Sequence, residues 1–144
     1  MRITDILRGK GGNVVTVPPE TDVKRLLAVL AEHGIGAVVV SSDGTSVEGI
    51  ASERDVVRAL AEHGVAVLSE PISAICTTDV HTVPPETQTE ELMRMMTEKR
   101  IRHVPVVADG ALRGIVSIGD VVKHRIDELE GERSALTDYI STAG

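Results

Sequence analysis

The stretch Gly114-Ile115-Val116-Ser117-Ile118-Gly119-Asp120 occurs twice, the earlier copy being Gly49-Ile50-Ala51-Ser52-Glu53-Arg54-Asp55. Both run glycine, two apolar residues, serine, two variable residues, aspartate. In each, an apolar run stops at the serine and a helical pattern starts: Val56, Val57 and Arg58 follow the first copy, Val121, Val122 and Lys123 the second. A hydroxyl and a carboxylate three residues apart then stand on the first turn of a helix fed by a strand. The chain therefore carries two small polar corners, each at a sheet edge.

Outward from these corners the duplication continues. Thr16-Val17-Pro18-Pro19-Glu20-Thr21 returns letter for letter as Thr82–Thr87, and Asp43-Gly44 is answered by Asp109-Gly110. Ile3–Leu7 is matched by Ile72–Cys76. The chain divides into unit one, residues 1–64, unit two, residues 65–126, and an extension over residues 127–144. Each unit opens with a short helical turn and a brief extended piece that ends at the Pro-Pro pair, because proline cannot donate to a ladder. Thr21 is the expected N-cap of a helix with the stripe Val23, Leu26, Leu27 and Leu30. In unit two the expected cap is Thr87, in a capping box with Glu90, ahead of Leu92, Met93 and Met96.

His33-Gly34 ends the first of these helices. Strands are expected at Ile35–Val40 and Val47–Ala51, and at Ile101–Val107 and Leu112–Val116, each pair turning at its Asp-Gly. Helices follow at Glu53–His63, closed by Gly64, and from Ile118 to about Glu130. The order β-α-β-β-α with antiparallel hairpins makes the fold α+β: two pseudo-symmetric units packed sheet to sheet, plus a C-terminal helix. A unit of this size buries too little apolar surface to stand alone. In the extension, Gly131 is expected to kink or interrupt the helix. Leu136 and Ile140 share one side, which would cover a partner subunit or the module's own edge.

Of the 144 residues, 42% are hydrophobic and 26% charged, a globular balance. Tyr139 is the sole aromatic residue, so the core is aliphatic and a bound base must lie between aliphatic side chains. The net charge of −7 argues against a nucleic-acid partner or an anionic membrane surface, while leaving room for a local basic pocket. Cys76 is the only cysteine, which excludes an internal disulfide and fits a reducing, cytoplasmic location. The start of the chain lacks the apolar run of a signal peptide, and the run from Ile35 to Val40 is too short to span a bilayer.

The duplicated frame with Gly-apolar-apolar-Ser-x-x-Asp after each hairpin, together with Arg100-Ile101-Arg102-His103-Val104-Pro105-Val106-Val107, resembles a tandem cystathionine-β-synthase (CBS) domain pair, or Bateman module, of the stand-alone bacterial type. The resemblance covers residue 1 to about 126. It implies a disk-like homodimer whose clefts bind adenine nucleotides. AMP, ADP, ATP, NAD(H) and S-adenosylmethionine all occur as ligands in that family. It also implies a regulatory role without catalysis, read out by an unknown protein partner.

At each corner two readings stand side by side. Serine is a favoured N-cap, and an acid in the first turn suits the helix dipole. A first-turn carboxylate also repels phosphate, so Asp55 and Asp120 are assigned to ribose hydroxyls, as the resemblance also implies, with Ser52 and Ser117 beside them. Ile35 and Ile50 in unit one, and Ile101 and Ile115 in unit two, are candidates to grip the base. Each is equally an ordinary core residue. Arg100, Arg102 and His103 supply cations for phosphates, the role the resemblance implies for basic residues in this segment. Unit one has Gly34, Gly36 and Ala37 at the matching positions, and Arg54 is its partial substitute. The two clefts are therefore expected to differ, each open to borrowing groups from both units.

Gly9-Lys10-Gly11-Gly12 lacks the phosphate-loop spacing and reads as a connector. The five histidines show no metal-ligand spacing, and Cys76 reads as apolar filler. A scaffold that keeps the frame for dimerisation, with vestigial clefts, is the alternative to an adenine-nucleotide sensor. A nucleotide hydrolase would need an acid cluster or an activated nucleophile, and the sequence offers neither.

Overall fold

The computed structural model describes residues 1–11 and 14–143. In chain order it contains α1 (Ile3–Lys10), β1 (Thr16–Val17), α2 (Val23–His33), β2 (Ala37–Val40), β3 (Gly49–Ser52), α3 (Glu53–His63), α4 (Thr89–Lys99), β4 (His103–Ala108), β5 (Ala111–Ser117) and α5 (Ile118–Ala143). Two 3-10 turns, Val65–Ser69 and Ile72–Ala74, lie between α3 and α4. The first sheet runs β1-β2-β3, with β1 parallel and β3 antiparallel to β2. The second pairs β4 with β5, and Val83 bridges to Val106 in the place that β1 holds in unit one. The architecture is the expected one: two pseudo-symmetric mixed units, two sheets and a C-terminal helix.

The hydrophobic core forms two clusters, and each takes a piece from the other repeat. Val17, Val23, Leu26, Leu30, Val38, Val40, Ala51 and Val56 enclose Ile72. Val83, Leu92, Met96, Val104, Val106 and Val116 enclose Ile3 and Ile6. Backbone hydrogen bonds clasp the exchange. The amides of Ile72 and Ser73 donate to the carbonyls of Thr21 and Pro19, at 2.7 and 3.1 Å. Those of Ile3 and Thr4 donate to Thr87 and Pro85, at 3.0 and 3.1 Å. The repeated hexapeptide is thus a turn that presents carbonyls to the opposite repeat.

That use of the turn moves both caps. Thr21 closes the turn onto Pro18, and Asp22 caps α2 by accepting from the Arg25 amide at 2.7 Å. Thr87 closes onto Pro84, and the expected box with Glu90 does not form. At α4 the Gln88 side chain makes no cap, and the Thr89 amide donates instead to the Met1 carbonyl at 3.0 Å. A tertiary carbonyl has replaced a local side chain. Gly131 likewise does not interrupt α5, which runs unbroken over 26 residues. A lone glycine in an exposed helix costs about 1 kcal/mol, too little to end so long an element.

The glycines that open the two motifs are sites of close approach. A Cβ on Gly49 would stand 2.8 Å from the Thr77 carbonyl oxygen. One on Gly114 would stand 2.6 Å from Leu7 Cδ2, the end of a flexible side chain. Gly49→Ala should therefore destabilise the protein by about 1–3 kcal/mol, the usual range for overpacking, and by more than Gly114→Ala. Chemical denaturation of the two variants checks the order.

Candidate functional site

Both corners form as reciprocal caps. The Ser52 amide donates to Asp55 Oδ2 at 2.9 Å, the Asp55 amide donates to Ser52 Oγ at 3.2 Å, and Ser52 Oγ donates to the same Oδ2 at 3.0 Å. At the second corner the Ser117 amide donates to Asp120 Oδ2 at 2.9 Å, and the Asp120 amide donates to Ser117 Oγ at 3.1 Å. Among the described residues, the bonds to Asp55 end on Oδ2 and leave Oδ1 without one, and at Asp120 the bonds from Ser117 and Lys10 likewise end on Oδ2.

Asp55 is buried in the wall of a cleft of about 300 Å³, at the lower end of the range for small-molecule pockets. Ser52, Arg54, Asp55 and Ile50 come from unit one, and Arg100, Ile101, Arg102 and His103 come from unit two. The basic segment therefore lines the cleft at the corner of the opposite repeat. Ile35 lies elsewhere, packed on the first core cluster and lining a shallow groove beside α2. Ser117, Asp120 and Ile115 form the second corner, where Lys10 Nζ stands 2.7 Å from Asp120 Oδ2 and donates to the Ile115 carbonyl at 2.8 Å. Sequence reasoning missed Lys10, and in the first cleft it missed Arg58, Thr77, Asp79, Val80 and His81. The signal for the last four was positional, since they follow the segment that matches Ile3–Leu7.

Arg100 occupies the C-cap of α4 in the left-handed region, φ 54° and ψ 43°, where unit one has Gly34 at φ 62° and ψ 38°. A side chain in that conformation costs about 1–2 kcal/mol. His103 lies across the unit boundary. A Cβ on Gly36 would sit 3.6 Å from its ring. Burial holds His103 below the ordinary imidazole pKa, and nearby Lys10 and Arg102 push it the same way, against Asp120 and Glu53. Burial alone would raise Asp120, but the bonds from Lys10 and Ser117 outweigh it and hold the carboxyl below its usual range. The first cleft thus combines a carboxylate acceptor, the aliphatic side chains of Ile50 and Ile101, and a group of arginines with His103. That set can accept hydroxyls, sandwich a flat apolar ring and neutralise phosphate.

A family model described as CBS domain matches residues 3–62 and 72–127. The chain belongs to the CBS-domain family and carries the domain twice. It is 34% identical over 146 residues to the CBS domain-containing protein CBSX3, mitochondrial, of Arabidopsis thaliana, covering 96% of this chain and 71% of that protein. Among solved structures, the CBS-domain containing protein ATU1752 from Agrobacterium tumefaciens has a TM-score of 0.83 at 45% identity, over 87% of this chain and 99% of that one. The CBS domain protein PAE2072 from Pyrobaculum aerophilum, complexed with AMP, has a TM-score of 0.73 at 28% identity, over 83% of this chain and 89% of that one.

His103 generates a test by acid. Its folded pKa lies below the unfolded value of 6.5, so the unfolded chain takes up the proton first. The stability it contributes is complete above that value and declines as pH falls through the folded pKa. Melting of the ligand-free protein should drop from about pH 7.5 to about pH 5, with a shallower drop in His103→Gln. Equal slopes would show that His103 is not held neutral by the fold.

Proposed function

We propose that the chain is a regulatory, non-catalytic module that binds an adenine nucleotide, AMP, ADP, ATP or NAD(H), and acts as a sensor of energy or redox state. One observation carries the reading: Asp55, the aliphatic side chains of Ile50 and Ile101, and Arg100, Arg102 and His103 line a single cleft. Asp55 accepts the ribose hydroxyls, the aliphatic pair holds the base, and the basic group takes the phosphates. The AMP complex of the Pyrobaculum aerophilum relative supports an adenosine ligand. Arg100 supports a phosphate. An arginine kept where glycine would be unstrained trades fold stability for a cation at the cleft.

Binding would favour one arrangement of the two units over another, and a protein partner would read the difference. A second copy of the chain is the reading for α5. Val122, Ile126, Leu129, Leu136 and Ile140 are exposed and recur four or three positions apart, apart from one gap of a full heptad. Sedimentation at the mass of one chain would overturn that homodimer. Among the described residues no helix is long and apolar enough to cross a membrane, and we place the chain in the cytoplasm, with its lone half-buried Cys76 in support.

AMP or ATP at millimolar concentration should raise the melting temperature by mass action on the folded state. Asp55→Asn should abolish the rise. Arg100→Gly should melt higher than the parent without ligand and yet bind ATP more weakly. No shift with any adenine nucleotide, or an undiminished shift in Asp55→Asn, would refute the reading.

A further inference from the structure

The two corners start alike and are finished differently. At the first, the Ile50 carbonyl accepts from the Thr77 backbone amide at 2.9 Å. At the second, the equivalent Ile115 carbonyl accepts from the Lys10 ammonium at 2.8 Å, and that ammonium also reaches Asp120 Oδ2. An ammonium has three donors and a positive charge, whereas a ribose diol brings two neutral donors. Charge-assisted bonds are about twice as strong as neutral ones. The lysine therefore neutralises the carboxylate from its Oδ2 side, next to the Oδ1 that a diol would need.

Lys10 is also mounted to move. Ile3 and Ile6 are buried and anchor α1 in the second cluster. At the other end, Lys10 lies between Gly9 and Gly11, and added Cβ atoms there would meet nothing within 4 Å. The Lys10 and Asp120 side chains are 36% and 24% exposed, so the pair is open to exchange with solvent and solute.

We propose that Lys10 is a tethered competitor for the second corner. It holds a competing positive charge against the Asp120 carboxylate, beside the oxygen that would accept a hydroxyl, so the chain takes one adenine nucleotide, at Asp55, and admits a second only when the tip of α1 withdraws. This rests on the nucleotide reading of the corners. It makes occupancy of the second corner and the position of α1 mutually exclusive states of one switch.

Calorimetric titration with AMP, and separately with ATP, tests it on the full chain. The parent should bind one nucleotide, Lys10→Met two, and Lys10→Met combined with Asp120→Asn one again. Lys10→Gln serves if the methionine variant does not fold, and Lys10→Arg should stay at one. Two sites in the parent, the same number of sites in Lys10→Met as in the parent, or loss of all binding in Lys10→Met would each overturn the competitor. Failure of the nucleotide reading looks different. If Asp55→Asn leaves the parent's single event intact, the first-cleft assignment falls and the competitor is judged on the count alone. If the parent binds nothing while Lys10→Met binds one nucleotide through Asp120, the competitor stands.

Discussion

The amides of Ile3, Thr4, Ile72 and Ser73 all end in turns that belong to the opposite repeat. This reciprocal clasp is the constraint under which the other contacts arise. It carries Ile3 and Ile72, both fully buried, into cores they do not share with their own strands. Each unit is too small to close its own apolar face, and the borrowed isoleucine completes it. The clasp also favours a glycine at the start of each motif, most of all at Gly49, where the crossing backbone passes against the strand.

With the crossing segments in place, the two hairpins face one another. The Thr45 carbonyl accepts from the Leu112 amide at 2.7 Å at the loop end. Gly36 and His103 approach at the strand heads. The cleft is the space left between them, and so it draws Asp55 from one repeat and Arg100, Arg102 and His103 from the other. On a chain of net charge −7, four arginines converge on this concavity. Glu53, Asp55 and Asp79 line it too, so the cleft sets cations and carboxylates side by side.

Duplication gave two corners of one pattern, and they differ in three matched residues and one contact. Arg100 stands for Gly34, Arg102 for Gly36 and His103 for Ala37, and Lys10 reaches where the first corner has a backbone amide. His103 feels the charges of Lys10 and Asp120 on one side and of Glu53 on the other.

The repeats, the strand–corner–helix order and the bounds of α3 were legible in the residues themselves. All are local: a hydrophobic period, an Asp-Gly turn, and a serine with an acid three positions on. The caps of α2 and α4 were not, because Thr21 and Thr87 spend their backbone groups on contacts from far along the chain. Nor was the partner of the basic segment, since which repeat a strand head faces depends on how the two sheets dock. Lys10 read as part of a glycine-rich connector, and only the packing of Ile3 and Ile6 brings its ammonium to Asp120. Local pattern decides which elements form and what chemistry they carry. Long-range burial of Ile3 and Ile72 decides which of those groups meet.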